Sequence, residues 1–158
     1  MKQAKTNAMR MLDTAHVAYT CHTYECKDGK IDGVSVANKL GQDPNQVFKT
    51  LVTKGHGGGY FVFVLPVTCE LDLKAAARAV GEKSVHMIAV SEINKVTGYI
   101  RGGCSPVGMK KQYPTVFHSS CLALPTIMVS GGRIGCQVEV EPAKLIDLVG
   151  GRTADIVE

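Results

Sequence analysis

The sequence predicts an α/β fold in which a mixed, mostly antiparallel sheet or a partly closed barrel is surrounded by helices. Three observations support this prediction. Apolar runs typical of strands outnumber segments of helical period, four helical segments end at a glycine, and glycine-rich stretches join neighbouring strand candidates. Because such stretches form hairpins between antiparallel strands, a doubly wound parallel sheet is disfavoured.

Apolar residues at helical spacing, together with end signals, predict five helices. Asp72 and Ser91 are suited to cap helix N-termini, and Pro142 is suited to the first helical position. Four C-terminal caps in the left-handed conformation are expected at Gly41, Gly81, Gly98 and Gly150. The helices are predicted over residues 4–14, 34–40, 72–80, 91–97 and 142–149.

Apolar runs bounded by turn residues predict eight strands. The segment GHGGG at 55–59 reads as a hairpin loop, and Gly131 with Gly132 reads as a two-residue hairpin turn. The strands are predicted over residues 19–24, 47–54, 60–67, 85–89, 115–118, 126–130, 134–140 and 155–157.

The composition indicates one globular domain over residues 1–158, with 45% hydrophobic and 20% charged residues and no low-complexity linker. The net charge of +4 is compatible with steering a polyanion but does not prove that one binds. The first twenty residues contain no continuous apolar stretch of the secretory type, and the run at 60–67 is too short to span a membrane. We therefore expect a cytoplasmic protein that does not enter a membrane.

The six cysteines include no C-x-x-C pair, so we expect free thiols in a reducing compartment. The cluster of Cys21, His22 and Cys26 is the best zinc candidate. It lacks a second pair of ligands at zinc-finger spacing, so no metal site is predicted.

Lys49 lies within the apolar run VFKTLV, and Thr50 follows it on the opposite face of the predicted strand. The lysine stem can simply lie along apolar surface while its ammonium reaches water. If the side chain points into a cleft instead, the ammonium needs an anionic or strongly polar partner, such as a phosphate or an ester oxygen.

Two glycine-rich segments, GGCSPVG at 102–108 and SGGRIG at 130–135, could expose backbone amides to a ligand. The first fails as a nucleotide phosphate loop, because Met109 separates Gly108 from Lys110. Neither Ser105 nor any histidine stands in a recognisable catalytic-triad motif. The second segment can be an ordinary hairpin, or its amides and Ser130 can hold a developing oxyanion.

Five segments in order resemble the YbaK family of Cys-tRNA deacylases, and together they cover nearly the whole chain. They are TYE at 23–25, QVFKTLV at 46–52, LDLKAAARAVG at 71–81, TGYIRGGCSPVG at 97–108 and VSGGRIG at 129–135. The resemblance implies a single α/β domain that removes a mischarged amino acid, notably cysteine on proline tRNA. It also implies action in trans beside prolyl-tRNA synthetase, on the aminoacyl-tRNA acceptor end and without a cofactor. Related free-standing editing domains remove alanine instead.

The resemblance also assigns roles to individual residues. It implies that Lys49 contacts the tRNA terminus and that Ser130 holds the aminoacyl ester. Residues expected to bind the substrate or to form the pocket are Tyr24, Thr50, Gly102, Gly103, Ser105, Pro106, Gly131, Gly132 and Gln137.

The chain departs from a close deacylase relative at two positions, having Gln137 in place of Asp and Cys26 in place of His. Gln137 can form hydrogen bonds but brings no negative charge, which leaves the amino-acid preference open. The resemblance implies a mechanism in which the thiol of the substrate cysteine attacks its own ester, so the protein supplies orientation and oxyanion stabilisation. The alternative is a catalytically idle module that binds tRNA or a synthetase through the same pocket.

Overall fold

Two β-sheets form the centre of the computed structural model, which describes residues 4–158. Within these residues, five α-helices and one short 3₁₀ helix, Ser119–Ala123, accompany eight strands. The helices are α1 Asn7–Thr14, α2 Gly33–Leu40, α3 Leu73–Val80, α4 Val90–Thr97 and α5 Pro142–Val149. The strands are β1 Tyr19–Thr23, β2 Phe48–Gly55, β3 Tyr60–Pro66, β4 Val85–Met87, β5 Thr115–His118, β6 Ile127–Ser130, β7 Cys136–Val140 and β8 Arg152–Ala154.

Most of the predicted helix ends are confirmed. Asp72 caps α3 by accepting hydrogen bonds from two backbone amides, and Pro142 begins α5. Ser91 is not a cap: α4 begins one residue earlier, after Ala89, with no side-chain cap. The four predicted glycines all end helices in the left-handed conformation, at Gly41, Gly81, Gly98 and Gly150.

The sheets are mixed and mostly antiparallel, as predicted. One has the order β4-β2-β3-β5-β8 and is parallel only at its β3-β5 and β5-β8 pairs, whereas the other, β1-β7-β6, is entirely antiparallel. The isolated parallel bridge between Val47 and Met128 links β2 of one sheet to β6 of the other. Within the described residues, this bridge is the one backbone pairing between the sheets, and they do not form a closed barrel.

The last predicted strand is misplaced. The strand lies at Arg152–Ala154, three residues earlier than expected, and Val157 makes only an isolated bridge with Leu71. Gly150 turns the chain out of α5, and Gly151 passes so close to β5 that an added Cβ would meet the Phe117 ring at 2.9 Å. The two glycines thus allow β8 to pair with β5 directly after α5 ends.

The second hairpin is longer than predicted. β6 ends at Ser130, and β7 begins at Cys136, two residues later than expected. The Gly131 amide still donates a hydrogen bond to the Cys136 carbonyl across the hairpin, so the chain reverses only after Gly131. The reversal itself is made by residues 132–135, in which Gly132 and Gly135 adopt φ of 102° and 88°. The turn therefore lies one residue beyond the predicted position.

The five-stranded sheet is covered on both faces. Val62 and Val64 of β3 pack into a core shared with the three-stranded sheet, α1 and α5, while Phe63 and Leu65 pack on the opposite face with α3. This explains why residues 60–67 are uninterruptedly apolar, since a strand buried on both faces needs no polar alternation. None of the helices in residues 4–158 has the length and apolar character needed to cross a bilayer.

Candidate functional site

A cavity of about 580 Å³ lies where the two sheets diverge. β2 and β6 meet at the Val47–Met128 bridge, and the residues that follow in each strand, including Lys49 and Ser130, line the cavity. β4 pairs with β2 only from Thr53 onward, so it leaves the first half of β2 uncovered on that edge. Two parallel strands that begin together and then separate thus create a wedge-shaped site.

Lys49 is half-buried and lines this cavity. Among the described residues, its ammonium has no ion-pair or hydrogen-bond partner. A cation beside apolar strand residues is available for an anionic or ester ligand.

Thr50 also lines the cavity, and its hydroxyl oxygen is buried without a hydrogen-bond partner in residues 4–158. Its Cα pairs with that of Val64 on β3, so the strand backbone holds the residue in place. A buried hydroxyl left unpaired costs free energy, which a ligand group able to hydrogen-bond with it would recover.

Ser130 lies on the cavity wall opposite β2, at the end of β6, where it pairs with Gln137 of β7. Its hydroxyl oxygen accepts a hydrogen bond from the Gly132 amide at 3.3 Å. This long hydrogen bond orients the oxygen while leaving its own proton to donate to a ligand.

The predicted roles of the Gly131 and Gly132 amides need correction, because neither glycine lines the cavity. The Gly131 amide donates to the Cys136 carbonyl at 3.0 Å, and the Gly132 amide donates to Ser130. Both N–H groups hold the hairpin, and it is the serine that faces the cavity.

Within the GGCSP loop, Gly102 and Cys104 reach the cavity. Gly102 lines it with φ of +86°, and an added Cβ would meet Ile31 Cδ1 at 2.8 Å. Gly103 packs against the Arg133 backbone, whereas Ser105 is fully buried and its hydroxyl accepts from the Val107 amide. Gly103, Ser105 and the buried Pro106 therefore support the wall from behind and do not line it.

Tyr24 lines the cavity at the point where β1 ends. Its backbone amide donates to the Gly135 carbonyl, which ties it to the β6–β7 hairpin. The loop that follows supplies Gly29 and Ile31 to the same cavity. This loop is held by the Lys39 ammonium, which donates to the Glu25 and Lys30 carbonyls at 2.6 and 3.0 Å and to Asp28 at 2.8 Å.

Gln137 is buried and lines the cavity. Its side-chain amide exchanges two hydrogen bonds with that of Gln42, at 2.7 and 3.1 Å. The hydrogen-bonding capacity of Gln137 is thus directed largely into the protein, and this part of the wall carries no charge.

Arg101 and Asp32 line the cavity but were not identified as site residues from the sequence. Arg101 stands in the quoted TGYIRGG segment, where it was passed over in favour of the glycines beside it. Asp32 caps α2 by accepting from the amide and hydroxyl of Ser35, and these hydrogen bonds lower the pKa of its carboxyl. The Asp32 carboxylate stays charged, but the two cations Lys49 and Arg101 outnumber it among the lining residues, and the resulting positive balance favours an anionic ligand.

Two cysteines line the cavity, Cys104 and Cys136. Burial raises the pKa of the Cys104 thiol to about 11 and that of the Cys136 thiol to about 12. Thiols with such pKa values are protonated at neutral pH and are poor nucleophiles. The cavity is therefore better equipped to position a reactive substrate than to attack one.

The zinc candidate does not form a ligand cluster, because His22 Nε2 lies 2.8 Å from Glu139 Oε1. No group of three or more His, Cys, Asp or Glu side chains in residues 4–158 is placed to hold a metal ion.

Comparison with known proteins gives a consistent result. Residues 32–148 match the family described as the aminoacyl-tRNA editing domain. A protein of Enterococcus faecalis, named as a candidate Cys-tRNA(Pro)/Cys-tRNA(Cys) deacylase, EbsC, is 43% identical over 154 residues, which are 98% of this chain and 94% of that protein.

Solved structures agree with this result. A candidate trans-editing enzyme for prolyl-tRNA synthetase is 25% identical with a TM-score of 0.82, and the match covers 99% of each chain. The crystal structure of a hypothetical protein, APE2540, has a TM-score of 0.88 at 22% identity over 96% of this chain and 99% of that one, and shows the shared fold. The chain therefore belongs to the aminoacyl-tRNA editing domain family, and its resemblance to the YbaK family is confirmed.

Proposed function

We propose that the protein is a trans-acting deacylase that removes cysteine wrongly esterified to tRNA(Pro). The observation that carries the proposal is a cavity that, within the described part of the chain, has an unpaired ammonium, an oriented serine hydroxyl and no activated nucleophile. Among the described residues that line it, neither Ser130 nor the two cysteines form a hydrogen bond with a histidine. Such a cavity suits a substrate that brings its own nucleophile.

In the proposed reaction, the sulfur of the substrate cysteine attacks the carbonyl carbon of its own ester. A carbon–sulfur bond forms, and the bond from that carbon to the ribose oxygen breaks. The thiol proton ends on the ribose oxygen, so the products are a cyclic thiolactone and tRNA with a free terminal hydroxyl. The step is already intramolecular, so the main contribution required of the protein is to hold the thiol in the orientation that attacks the carbonyl.

Three side chains have distinct roles in this proposal. Lys49 binds the phosphate or ribose oxygens of the terminal adenosine, and Ser130 donates its hydroxyl proton to the oxygen that becomes negative during attack. Thr50 offers its buried hydroxyl to the polar part of the aminoacyl group, while Tyr24 closes the pocket beside it. The uncharged Gln137 contributes shape more than charge.

The chain acts as one editing domain in this proposal, and its partners are the acceptor end of aminoacyl-tRNA and prolyl-tRNA synthetase. The name of the relative from Enterococcus faecalis and that of the trans-editing structure support these partners. Because aminoacyl-tRNA would be the substrate, we place the reaction in the cytoplasm. The proposed chemistry uses no metal or cofactor.

The test is loss of the ester from proline tRNA charged separately with cysteine, alanine or proline. Cleavage of the cysteinyl ester alone is the expected result. Preferential cleavage of alanine would replace the proposed substrate, and binding of all three without cleavage would identify an idle binding module.

A further inference from the structure

Cys21 and Cys136 form a close thiol pair beside the cavity. Their sulfur atoms lie 3.5 Å apart, and they are the one pair of cysteine sulfurs within hydrogen-bonding distance in residues 4–158. The cysteines occupy neighbouring strands at diagonal positions, because Cys136 pairs with Thr23 and Cys21 pairs with Val138. Side chains at such positions share one face of the sheet and can reach each other.

We propose that Cys21 and Cys136 are a site of reversible oxidative modification, in which a peroxide or a small disulfide links them and thereby deforms the cavity. The site itself does not depend on the proposed function, whereas its effect on the reaction does. Cys21 is exposed and can meet an oxidant, while Cys136 is buried, lines the cavity and can resolve the oxidised sulfur.

With a peroxide, the Cys21 thiol first becomes a sulfenic acid as the O–O bond breaks and one water leaves. The Cys136 thiol is a weak nucleophile in free encounters, but it is held 3.5 Å from the Cys21 sulfur, and this proximity offsets its low nucleophilicity. Its sulfur attacks the Cys21 sulfur, the S–O bond breaks, and the departing hydroxyl takes the Cys136 proton to leave as a second water. The two thiols are oxidised by two electrons, and the peroxide is reduced by two. A small disulfide achieves the same result by forming a mixed disulfide with Cys21 and leaving as two thiols.

Closing the bond moves the sulfur atoms from 3.5 Å to about 2.05 Å apart. The movement should fall mainly on β1, because β1 is an edge strand whereas β7 is the central strand of its sheet. The residue after β1 is Tyr24, which lines the cavity. Cys136 is also tightly placed, since its Sγ would be 2.6 Å from a Cβ added to Gly131, the residue after Ser130. Movement of either sulfur should therefore displace residues that line the cavity.

The experiment oxidises the intact protein with hydrogen peroxide or glutathione disulfide and removes the reagent. Mass spectrometry then maps disulfides in the wild type, in Cys21→Ser and in Cys26→Ser, a matched control that also alters an exposed cysteine. We expect a peptide linking Cys21 to Cys136 in the wild type and in Cys26→Ser, and none in Cys21→Ser. A dominant Cys21–Cys26 link, or oxidation that stops at sulfenic acid, would overturn the proposal.

The same samples are assayed on Cys-tRNA(Pro) before and after reduction. We expect oxidised wild type to be roughly 10-fold to 10²-fold slower, as expected for displacement of positioning groups by about 1 Å, and to recover on reduction. Reduced Cys21→Ser should match the wild type and keep its rate after oxidation. A mapped disulfide with an unchanged rate would refute the coupling to the cavity. Inactivity of the reduced wild type would refute the proposed function, and the mass map would still decide whether the disulfide forms.

Discussion

Lys49 and Ser130, one on each wall of the cavity, come from strands of two different sheets. Their side chains contribute little to the free energy of folding, because neither belongs to a hydrophobic core cluster of the described residues. Substitutions that keep their volume should therefore separate a role in the reaction from a role in stability.

Lys49→Met removes the ammonium and keeps the apolar stem. We expect kcat/KM on Cys-tRNA(Pro) to fall by roughly 10-fold to 10²-fold, since a hydrogen bond to a charged group contributes about 1.5–3 kcal/mol. The matched control is Lys54→Met, because Lys54 lies on the same strand but is exposed and packs over the Tyr60 ring. If the two variants have equal rates and equal Tm, the Lys49 ammonium only reaches solvent and does not contact the substrate.

Ser130→Ala tests whether the SGG segment is a site or only a turn. If the hydroxyl stabilises the developing oxyanion, single-turnover rates should fall roughly 10²-fold. If it only accepts the 3.3 Å hydrogen bond from Gly132, the variant should lose about 0.5 kcal/mol of stability and none of its rate. Ser84→Ala is the control, because Ser84 directly precedes β4 and does not line the cavity.

At the scale of elements, the loop between β1 and α2 depends on one helical lysine. Lys39 of α2 donates to two loop carbonyls and to Asp28, so it sets the position of the cavity residues Gly29 and Ile31. Its action on the substrate is indirect, through the loop.

Lys39→Met should raise KM more than it lowers kcat, because the loop shapes the pocket without touching the reacting bond. Faster hydrogen exchange of the amides in residues 25–31 should accompany the change. Lys74→Met on α3 provides the control, and Lys39→Arg should restore part of the affinity. An unchanged KM with a looser loop would show that the loop does not contribute to binding.

A second prediction at this scale concerns the beginning of α2. A Cβ added to Gly33 would lie 2.0 Å from Val67 Cγ1, so Gly33→Ala should destabilise the protein by about 1–3 kcal/mol despite the better helix propensity of alanine. Chemical denaturation should detect this loss. Adding Val67→Ala should recover part of it, and Gly57→Ala, where the nearest atom is 3.6 Å away, should cost little.

At the scale of the whole molecule, the proposed chemistry determines which amino acid the protein removes from tRNA. We expect Cys-tRNA(Pro) to be deacylated and Ser-tRNA(Pro) to remain largely intact, because a neutral hydroxyl is a much weaker nucleophile than a thiol. Parallel time courses on the two substrates measure this. Equal rates would exclude attack by the substrate thiol.

The cleavage rate should depend less on the body of the tRNA than on the amino acid esterified to it. The chain has a net charge of only +4 and no long basic helix or aromatic RNA-binding motif in its sequence. Cys-tRNA(Pro) and Cys-tRNA(Cys) should therefore be cleaved at similar rates by the protein alone. A strong preference for one of them without a synthetase would contradict this expectation.

Local chemistry made much of the fold and site predictable from the sequence. The C-terminal glycines, the Asp72 cap and the continuous apolar run of β3 depend on residues near one another in the chain. The order of five motifs indicated the family, and with it the assignment of Lys49, Thr50, Ser130, Tyr24, Gly102 and Gln137 to a site whose cavity they all line. Their individual roles stay predictions.

The tertiary structure decided what depends on contacts between distant segments. The two sheets are joined by an isolated bridge between Val47 and Met128, residues that no local pattern relates. Packing of separate segments also places Arg101 and Gly102 at a cavity that is lined by strands of both sheets. It also brings Cys21 to within 3.5 Å of Cys136 across 115 residues of chain. Sequence spacing sets which residues share a face of one strand, but only the packing of separate elements sets which atoms meet.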